Sequence, residues 1–205
     1  MNSVVCSKIL SLLAPTLDFN CGTLAKTPIL FSETHHKEVN NWVTSSIEIS
    51  KSDWDSFETS WDFQRHPLVT PAIDQHYMLL SDCWRDWERA CADRFAQLKA
   101  NEEELNRIFI DIYGLQDELT PDVDDKDVTV RKADLGRDIR SLISYAVGCM
   151  VGRYSLDKPG LAFAGGAWDA SQYVTYPADK AGILPITADE YFADDIVTMI
   201  VNWLT

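Results

Sequence analysis

Histidine and cysteine are the residues that most often bind metals or act as nucleophiles and proton carriers, and this chain has few of them. Its four histidines are the adjacent pair His35 and His36, His66 beside a proline, and His76. None belongs to a His-Glu-x-x-His sequence, the spacing that places two zinc ligands on one face of a helix. The histidines therefore predict no metal centre.

The cysteines also lack a metal-binding or redox pattern. They are odd in number and scattered, and no two of them form a Cys-x-x-Cys pair. They are Cys6, Cys21, Cys83, Cys91 and Cys149. We expect reduced, buried thiols in a cytoplasmic protein.

Glycine-rich turns, which bring backbone amides close to a phosphate or a methyl donor, are missing from the sequence. No two of the nine glycines form Gly-x-Gly, and Gly165-Gly166 is not followed by the Lys-Ser/Thr of a phosphate loop. There is also no Gly-x-Ser-x-Gly sequence of the kind that presents a hydrolase nucleophile. A calcium loop beginning at Asp122 would need glycine at its sixth place and glutamate at its twelfth, where Asp127 and Ala133 stand. We therefore predict no catalytic, cofactor-binding or metal-binding residue, and an enzyme site built from loops around Gly165 has no positive feature in its favour.

The charge of the chain argues against DNA binding by this chain alone. It has 18 lysines and arginines against 32 aspartates and glutamates, a formal net charge of −14, which repels a phosphate backbone. Residues 102–127 hold ten acidic residues against Arg107 and Lys126, a run typical of a solvated surface. We expect weak or no DNA binding.

No segment of the sequence predicts a membrane anchor. The most apolar later stretch, residues 142–151, is half as long as a membrane span requires. The apolar first 13 residues lack the cleavage site of a signal peptide. A cytoplasmic location without membrane contact is the expectation.

Hydrophobic periodicity predicts helices in the first part of the chain. The spacing over Ser3 to Leu13 predicts a helix that Pro15 ends. Leu17 to Leu24 alternates, which predicts a short strand or sheet edge without a partner in the chain. Residues 34–50 fit an amphipathic helix, and Ser52 is expected to cap a new turn.

An aromatic run follows, made of Trp54, Phe57, Trp61 and Phe63. Its spacing of mostly three and four predicts a stripe that faces the core. The alternative is a platform on which nucleic-acid bases stack. That alternative is disfavoured because the interleaved residues are acidic, whereas such platforms need basic ones.

The strongest pattern predicts one long helix from Ile73 to Tyr113, ended by Gly114. Its apolar steps of four and three, with one extra four-residue step at Phe95, are typical of a coiled-coil seam with a stutter. The seam consists of Ile73, Tyr77, Leu80, Trp84, Trp87, Cys91, Phe95, Leu98, Leu105, Phe109 and Ile112. Asn101 could instead begin a second helix.

The last third of the chain predicts two further helices around a loop. Residues 134–153 predict a helix buried on most sides, on which Gly148 and Gly152 share a face open to a neighbouring backbone. Residues 161–187 predict an ordered loop with a short hairpin. A final helix is expected from Asp189 to Leu204 with Thr187 as its cap. The predicted fold is mainly α: a helical bundle or spacer with one long coiled-coil-like helix and a loop-rich region with minor β structure.

Three strings in the sequence resemble a known family. Residues 52–63 with His66-Pro67-Leu68, and residues 144–157, closely resemble the BREX adenine-specific DNA methyltransferase family PglX. Residues 17–28 resemble the close of the catalytic domain in that family and in related restriction-linked methyltransferases. The resemblance extends over nearly the whole chain.

This resemblance implies a phage-defence enzyme that transfers a methyl group from S-adenosylmethionine to adenine in DNA. The family's Asn-Pro-Pro-Tyr-like tetrapeptide, which holds the flipped adenine, and its cofactor loop are both absent here. We therefore expect an inactive segment that lies after the catalytic domain. Residues 1–30 would be a remnant resembling the end of that domain, residues 31–158 a helical spacer, and residues 159–205 a loop-rich segment with a terminal helix leading to the target-recognition region. DNA and other defence-system proteins would be partners of the full-length protein.

A stand-alone acidic helical protein is the competing interpretation. It would bind a partner protein, or mimic the charge of DNA to block a DNA enzyme. The net charge and the acidic residues 102–127 favour it, whereas the unpartnered strand and the resemblance count against it.

Overall fold

The chain is mainly helical, as predicted. The computed structural model describes residues 3–14, 21–70, 79–179, 181–187 and 195–205, and no strand occurs among them. The helices bounded within these residues are α1 (Val4–Leu13), α2 (Cys21–Leu24), α3 (His36–Asp55), α4 (Leu80–Tyr113), α5 (Leu135–Met150) and α6 (Ile196–Leu204), with a 3-10 turn at Ala170–Gln172. In the part of the chain covered by these ranges, no helix is both long and apolar enough to cross a membrane.

Polar side chains begin three of these helices by accepting a hydrogen bond from a free backbone amide of the first turn. Ser3 Oγ accepts from the Cys6 amide at 3.3 Å, Asp134 Oδ1 from Arg137 at 2.6 Å, and Asp195 Oδ1 from Val197 at 3.0 Å. Gly114 ends α4, as predicted, with a φ of 67° that a side chain would disfavour.

The chain divides into two compact units. Unit 1 consists of residues 1–52 and 92–131, and unit 2 of residues 53–91 and 132–205. Helix α4 contributes residues 80–91 to unit 2 and residues 92–113 to unit 1. The predicted limits at residues 30 and 158 do not coincide with these boundaries, and they stay a prediction about the longer protein.

Unit 1 is held together around the second part of α4. Its small apolar core consists of Phe95, Leu98, Val128 and Val130, with Ile49 and Val123 packed against it. Asn101 is buried and donates a hydrogen bond to Ser45 Oγ of α3 at 3.0 Å. Asn106 accepts from the Val4 amide of α1 at 2.9 Å and donates to the Pro121 carbonyl at 3.1 Å. The side-chain amides of these two buried asparagines thus connect four segments of unit 1.

Unit 2 has the larger, aromatic core. The ring of Tyr145 is fully buried at its centre, stacked on Tyr154 with ring centroids 5.1 Å apart and in edge contact with Phe63 and Trp203. The buried members are Phe57, Phe63, Leu68, Val69, Cys83, Trp87, Cys91, Leu142, Tyr145, Ala146, Cys149, Met150, Tyr154 and Trp203. Offset and edge-to-face pairs of this kind stabilise a core beyond the area that they bury.

The loop after α5 is ordered by side-chain hydrogen bonds. Asp157 accepts from the amides of Val174 and Thr175, at 2.7 and 2.9 Å, and from the Thr175 hydroxyl at 2.5 Å. Tyr173 donates from its hydroxyl to the Gly152 carbonyl at 2.6 Å and stacks on Trp168. The described part of residues 161–187 therefore forms an ordered loop, as predicted, but without the expected hairpin.

The long helix is continuous from Leu80 to Tyr113, but Leu79 before it is not helical, so it is not the unbroken helix predicted from Ile73; its seam is confirmed in part. Trp87, Cys91, Phe95 and Leu98 are buried at the predicted steps, and Cys83, which the predicted seam did not include, is buried as well. The predicted seam residues Trp84, Leu105, Phe109 and Ile112 are only partly buried, and Leu80 is exposed. Beyond Leu98 the buried residues are Asn101, Asn106, Ile108 and Ile110. The buried residues in this part of the helix lie on more than one of its sides, because other segments of unit 1 pack around it. Asn101 lies inside α4, so it does not begin a second helix, and Ile73 and Tyr77 lie outside the described residues.

Two local predictions in the first part of the chain are wrong. Cys21–Leu24 is one helical turn packed on α1, not part of a strand, and residues 17–20 lie outside the described residues. Ser52 lies inside α3, which continues to Asp55, so it caps no new turn. The residues that the structure describes include no strand with which Cys21–Leu24 could pair, whereas a helical turn forms its own backbone hydrogen bonds.

The aromatic run does not form one core-facing stripe. Phe57 and Phe63 are buried, as expected, but Trp54 is 54% exposed and Trp61 is 100% exposed. The spacing argument fails because α3 ends at Asp55 and the later residues follow turns. Ser60 fixes one of these turns: its hydroxyl donates to Asp55 Oδ1 at 2.5 Å and accepts from the Asp62 amide at 3.0 Å.

Two predictions in the last third also need correction. Gly152 lies beyond α5 with a φ of 79°, so Gly148 and Gly152 share no helix face. Aromatic rings, rather than a neighbouring backbone, approach them: Tyr154 covers Gly148 and Trp168 covers Gly152. The described part of the last helix begins at Ile196 with Asp195 as its cap, while the Thr187 hydroxyl donates to Asp195 Oδ2 at 2.5 Å.

Candidate functional site

Two buried ionisable side chains of unit 2, His66 and Cys149, are neutral at physiological pH. Burial lowers the pKa of His66 to about 4, with the nearby Asp138 carboxylate opposing the change, and the Leu68 amide donates to its Nδ1 at 3.3 Å. Burial raises the pKa of Cys149 to about 12. General acid–base catalysis favours a pKa near the working pH, and a cysteine nucleophile needs a low one. His66 and Cys149 therefore contribute to the packing of the core.

Asp138 is the centre of a buried polar cluster in unit 2. Its carboxylate accepts from Trp87 Nε1 at 2.9 Å, from Arg137 Nε at 2.6 Å and from the Asp134 amide at 3.1 Å. Burial would raise the pKa of Asp138, but the hydrogen bonds from Arg137, Trp87 and Asp134 outweigh it and hold the pKa below its ordinary value. The cluster fixes the first part of α4 to the start of α5.

Sequence reasoning missed this cluster. In a chain with 32 acidic residues, one more aspartate at the start of a helix indicates only a favourable helix dipole. The available signal was the position of Trp87 in a buried seam, because a buried indole nitrogen needs an acceptor. Nothing in the sequence identifies which carboxylate supplies it.

The acidic stretch predicted as a solvated surface lies in unit 1 and is largely exposed. Two lysines each pair with one carboxylate: Lys99 with Asp125 at 2.8 Å, and Lys126 with Asp124 at 3.1 Å. Partial burial, together with the charge of Asp127, raises the pKa of Glu102. Exposed pairs of this kind add little stability, and they leave most of the negative charge of residues 102–127 facing solvent.

A groove of about 550 Å³ runs beside α3 in unit 1. It is lined by Thr34, Lys37, Glu38, Asn41, Trp42 and Ser45. The indole nitrogen of Trp42 is buried and has no hydrogen-bond partner among the described residues. The groove combines one cation, one carboxylate and one indole, and it brings together no set of residues with a recognised catalytic arrangement. In the described ranges, no group of three His, Cys, Asp or Glu side chains could hold a metal ion.

Comparison with known proteins finds two curated methyltransferases, each of which matches essentially the whole of this chain. The chain is 48% identical over 208 aligned positions to the "Adenine-specific methyltransferase PglX" of Lacticaseibacillus casei (strain Zhang), a match that covers 100% of this chain and 17% of that protein. It is 34% identical over 223 positions to the "Adenine-specific methyltransferase BrxX" of Escherichia coli O9:H4 (strain HS), covering 98% of this chain and 18% of that protein. No protein-family model matches the chain.

These two matches confirm the resemblance found in the sequence. Each extends over essentially the whole chain, while the chain spans less than a fifth of the length of either relative. The chain is therefore a homologue of one segment of the adenine-specific methyltransferases PglX and BrxX.

Proposed function

We propose that the chain acts as a non-catalytic helical segment of a phage-defence, site-specific DNA adenine N6-methyltransferase of the BREX type, linking its catalytic and DNA-recognition parts. The observation that carries this proposal is the 48% identity over the whole chain to 17% of a much longer methyltransferase. A role of this kind requires stable packing and no reactive group.

The packing of α4 supports a structural role. The helix has 34 residues and is about 50 Å long at about 1.5 Å per residue. In unit 2 it is fixed by the hydrogen bond between Trp87 and Asp138, and in unit 1 by the bond between Asn101 and Ser45. Buried polar contacts of this kind hold a helix in one register, because any slip leaves a buried group unpaired.

Methyl transfer from S-adenosylmethionine to adenine, with DNA as substrate, is proposed for the longer protein only. Contacts with other defence-system proteins are likewise proposed for that protein. The predicted arrangement of residues 1–30, 31–158 and 159–205 belongs to the same proposal.

Titration of the isolated chain with S-adenosylmethionine in a calorimeter tests the non-catalytic role. We expect no saturable heat, because the sequence has no glycine-rich cofactor turn. A mobility-shift titration with duplex DNA at about physiological salt should show little complex, since the net charge of −14 opposes the phosphate backbone. Saturable cofactor binding in the micromolar range would overturn the proposal.

A second candidate function, a free acidic protein that mimics DNA charge, is favoured by the exposed carboxylates of residues 102–127. Adding the isolated chain to a methylation assay of the Lacticaseibacillus relative separates the two. A DNA mimic inhibits the enzyme in competition with DNA, and its inhibition weakens as salt rises. A structural segment leaves the rate unchanged.

A further inference from the structure

One face of α3 in unit 1 is exposed and apolar. Positions 36, 40, 43 and 47 share a face because residues three and four apart are neighbours on a helix. Val43 and Ile47 on this face are exposed hydrophobic side chains, and Ile47 is 61% exposed. The other two positions hold His36 and Asn40, so the face carries no lysine, arginine or carboxylate between positions 36 and 47, and the exposed Lys51 on the next turn marks its end.

An exposed aromatic residue just before the helix, Phe31, continues this face. Phe31 is 72% exposed, and its ring centroid lies 5.5 Å from that of His36. We call the surface formed by Phe31, His36, Val43 and Ile47 the α3 strip.

The segment that carries Phe31 is held in place on both sides. Before it, the hydroxyl of Tyr113 donates to the Pro28 carbonyl at 2.8 Å and accepts from the Leu30 amide at 3.1 Å. After it, Ser32 Oγ and His35 Nδ1 lie 3.0 Å apart. The exposure of Phe31 therefore belongs to a hydrogen-bonded arrangement of unit 1 rather than to a free chain end.

We propose that the α3 strip is an internal docking surface that is covered by an apolar surface of the same methyltransferase polypeptide, contributed by residues outside the 205 of this chain. This inference rests on the proposed function. An ordered, uncharged apolar surface marks a contact site in a soluble protein. The matched relatives have more than four fifths of their length outside the aligned segment. In a protein of that length, the remaining polypeptide is covalently connected to the strip and can cover it.

The chemistry of the strip argues against the other occupants. DNA binding depends on several lysine and arginine contacts to phosphates, whereas the strip has none and Lys51, one turn beyond Ile47, is a single cation at its edge. Contacts that stay buried within one folded protein are apolar and depleted of charge at their centre, which is the composition found here. A tethered occupant also binds at a high effective concentration, so a small strip suffices.

The test uses the Lacticaseibacillus relative with its matching segment replaced by this chain. The photo-cross-linker p-benzoylphenylalanine is placed at Ile47, on the strip, and in a matched variant at Glu48, which is exposed on α3 about 100° around the helix. Irradiation is followed by proteolysis and mass spectrometry. We expect the Ile47 variant to form an intramolecular cross-link to a peptide outside the 205 residues, and the Glu48 variant to form none.

The outcomes separate this inference from the proposed function. DNA methylation by the unsubstituted hybrid reports on the proposed function, whereas the cross-linked peptide reports on the strip. An active hybrid whose Ile47 probe gives no cross-link, or cross-links only to a second copy or to DNA, overturns the docking inference and leaves the proposed function standing. An inactive but folded hybrid counts against the proposed function, while the cross-link still decides the docking inference.

Discussion

Replacing Trp87 tests whether the Asp138 cluster and the buried seam hold unit 2 together. The side chain is 8% exposed, lies in edge contact with Phe57 and donates its indole proton to Asp138. Trp87→Ala removes a buried aromatic side chain, which typically costs about 3–5 kcal/mol, a large part of the roughly 5–15 kcal/mol that stabilises a domain. Trp87→Phe keeps most of the ring and removes the donor, so about 1–3 kcal/mol should be lost.

Three neighbours on the same helix provide controls. Trp84 is only partly buried, so Trp84→Ala should cost about half as much as Trp87→Ala, in proportion to the smaller apolar area that it buries. The side chain of Arg85 is 68% exposed and pairs with Asp82. Asp86 pairs with Arg89 in the same exposed manner. Arg85→Ala and Asp86→Ala should each cost about 0.5 kcal/mol or less.

Urea unfolding followed by circular dichroism measures the free energy of unfolding of all five variants. The midpoint should fall furthest for Trp87→Ala, less for Trp87→Phe and Trp84→Ala, and least for the two surface variants. Equal losses at Trp87 and Arg85, or no loss at Trp87, would refute the assignment of a buried face to Cys83, Trp87 and Cys91.

Three further predictions follow from unit 2. Gly148→Ala should destabilise the protein by about 1–3 kcal/mol in urea melts, because the new Cβ would lie 2.6 Å from a ring carbon of Tyr154; Gly136→Ala on the same helix, whose nearest contact would be 3.6 Å, should be neutral or stabilising by up to about 1 kcal/mol. His66 has a folded pKa of about 4 against 6.5 in the unfolded chain, so the unfolded chain binds the proton first as the pH falls. The free energy of unfolding should therefore drop between pH 6.5 and about 4, by up to roughly 3 kcal/mol at 1.36 kcal/mol per pKa unit, and His66→Gln should flatten that slope. Asp138→Asn should lower stability at pH 7 by about 1–3 kcal/mol; this loss should begin to shrink as the pH falls below 3.8 and disappear only below the lowered pKa of the folded carboxylate, where the wild-type side chain is protonated as well.

The helices with strong periodicity were predictable from the sequence, as α1, α4 and α5 show. Their signals are local: apolar spacing, a capping residue such as Ser3 or Asp134, and a stop such as Gly114. These features act within one or two turns, so a single sequence reveals them.

The predictions that failed depended on contacts between distant residues. The aromatic run was expected to be buried throughout, but Trp61 follows the end of α3 and points into solvent. The predicted seam continued past Leu98, whereas the two buried asparagines there bond to α1, α3 and the loop at Pro121. Hydrophobic spacing shows which side chains avoid water, but it cannot show how many sides of a helix are covered.

The absence of catalytic motifs and the family resemblance could both be found in the sequence, whereas the α3 strip could not. Val43 and Ile47 fit the apolar face of the amphipathic helix that the sequence predicts over residues 34–50, and such a face normally points to the core. Only the packing of Ile49 and the bonds of Ser45 show that another side of α3 faces the core.

DNA methylation by the hybrid enzyme tests the central claim most directly. The 205-residue chain replaces the matching segment of the Lacticaseibacillus relative, to which it is 48% identical, and incorporation of tritiated methyl groups into adenine is measured beside the isolated chain and the unaltered relative. The account predicts methylation by the hybrid and none by the isolated chain, even at high concentrations of protein and S-adenosylmethionine. Methylation by the isolated chain, or a folded hybrid without activity, would contradict it.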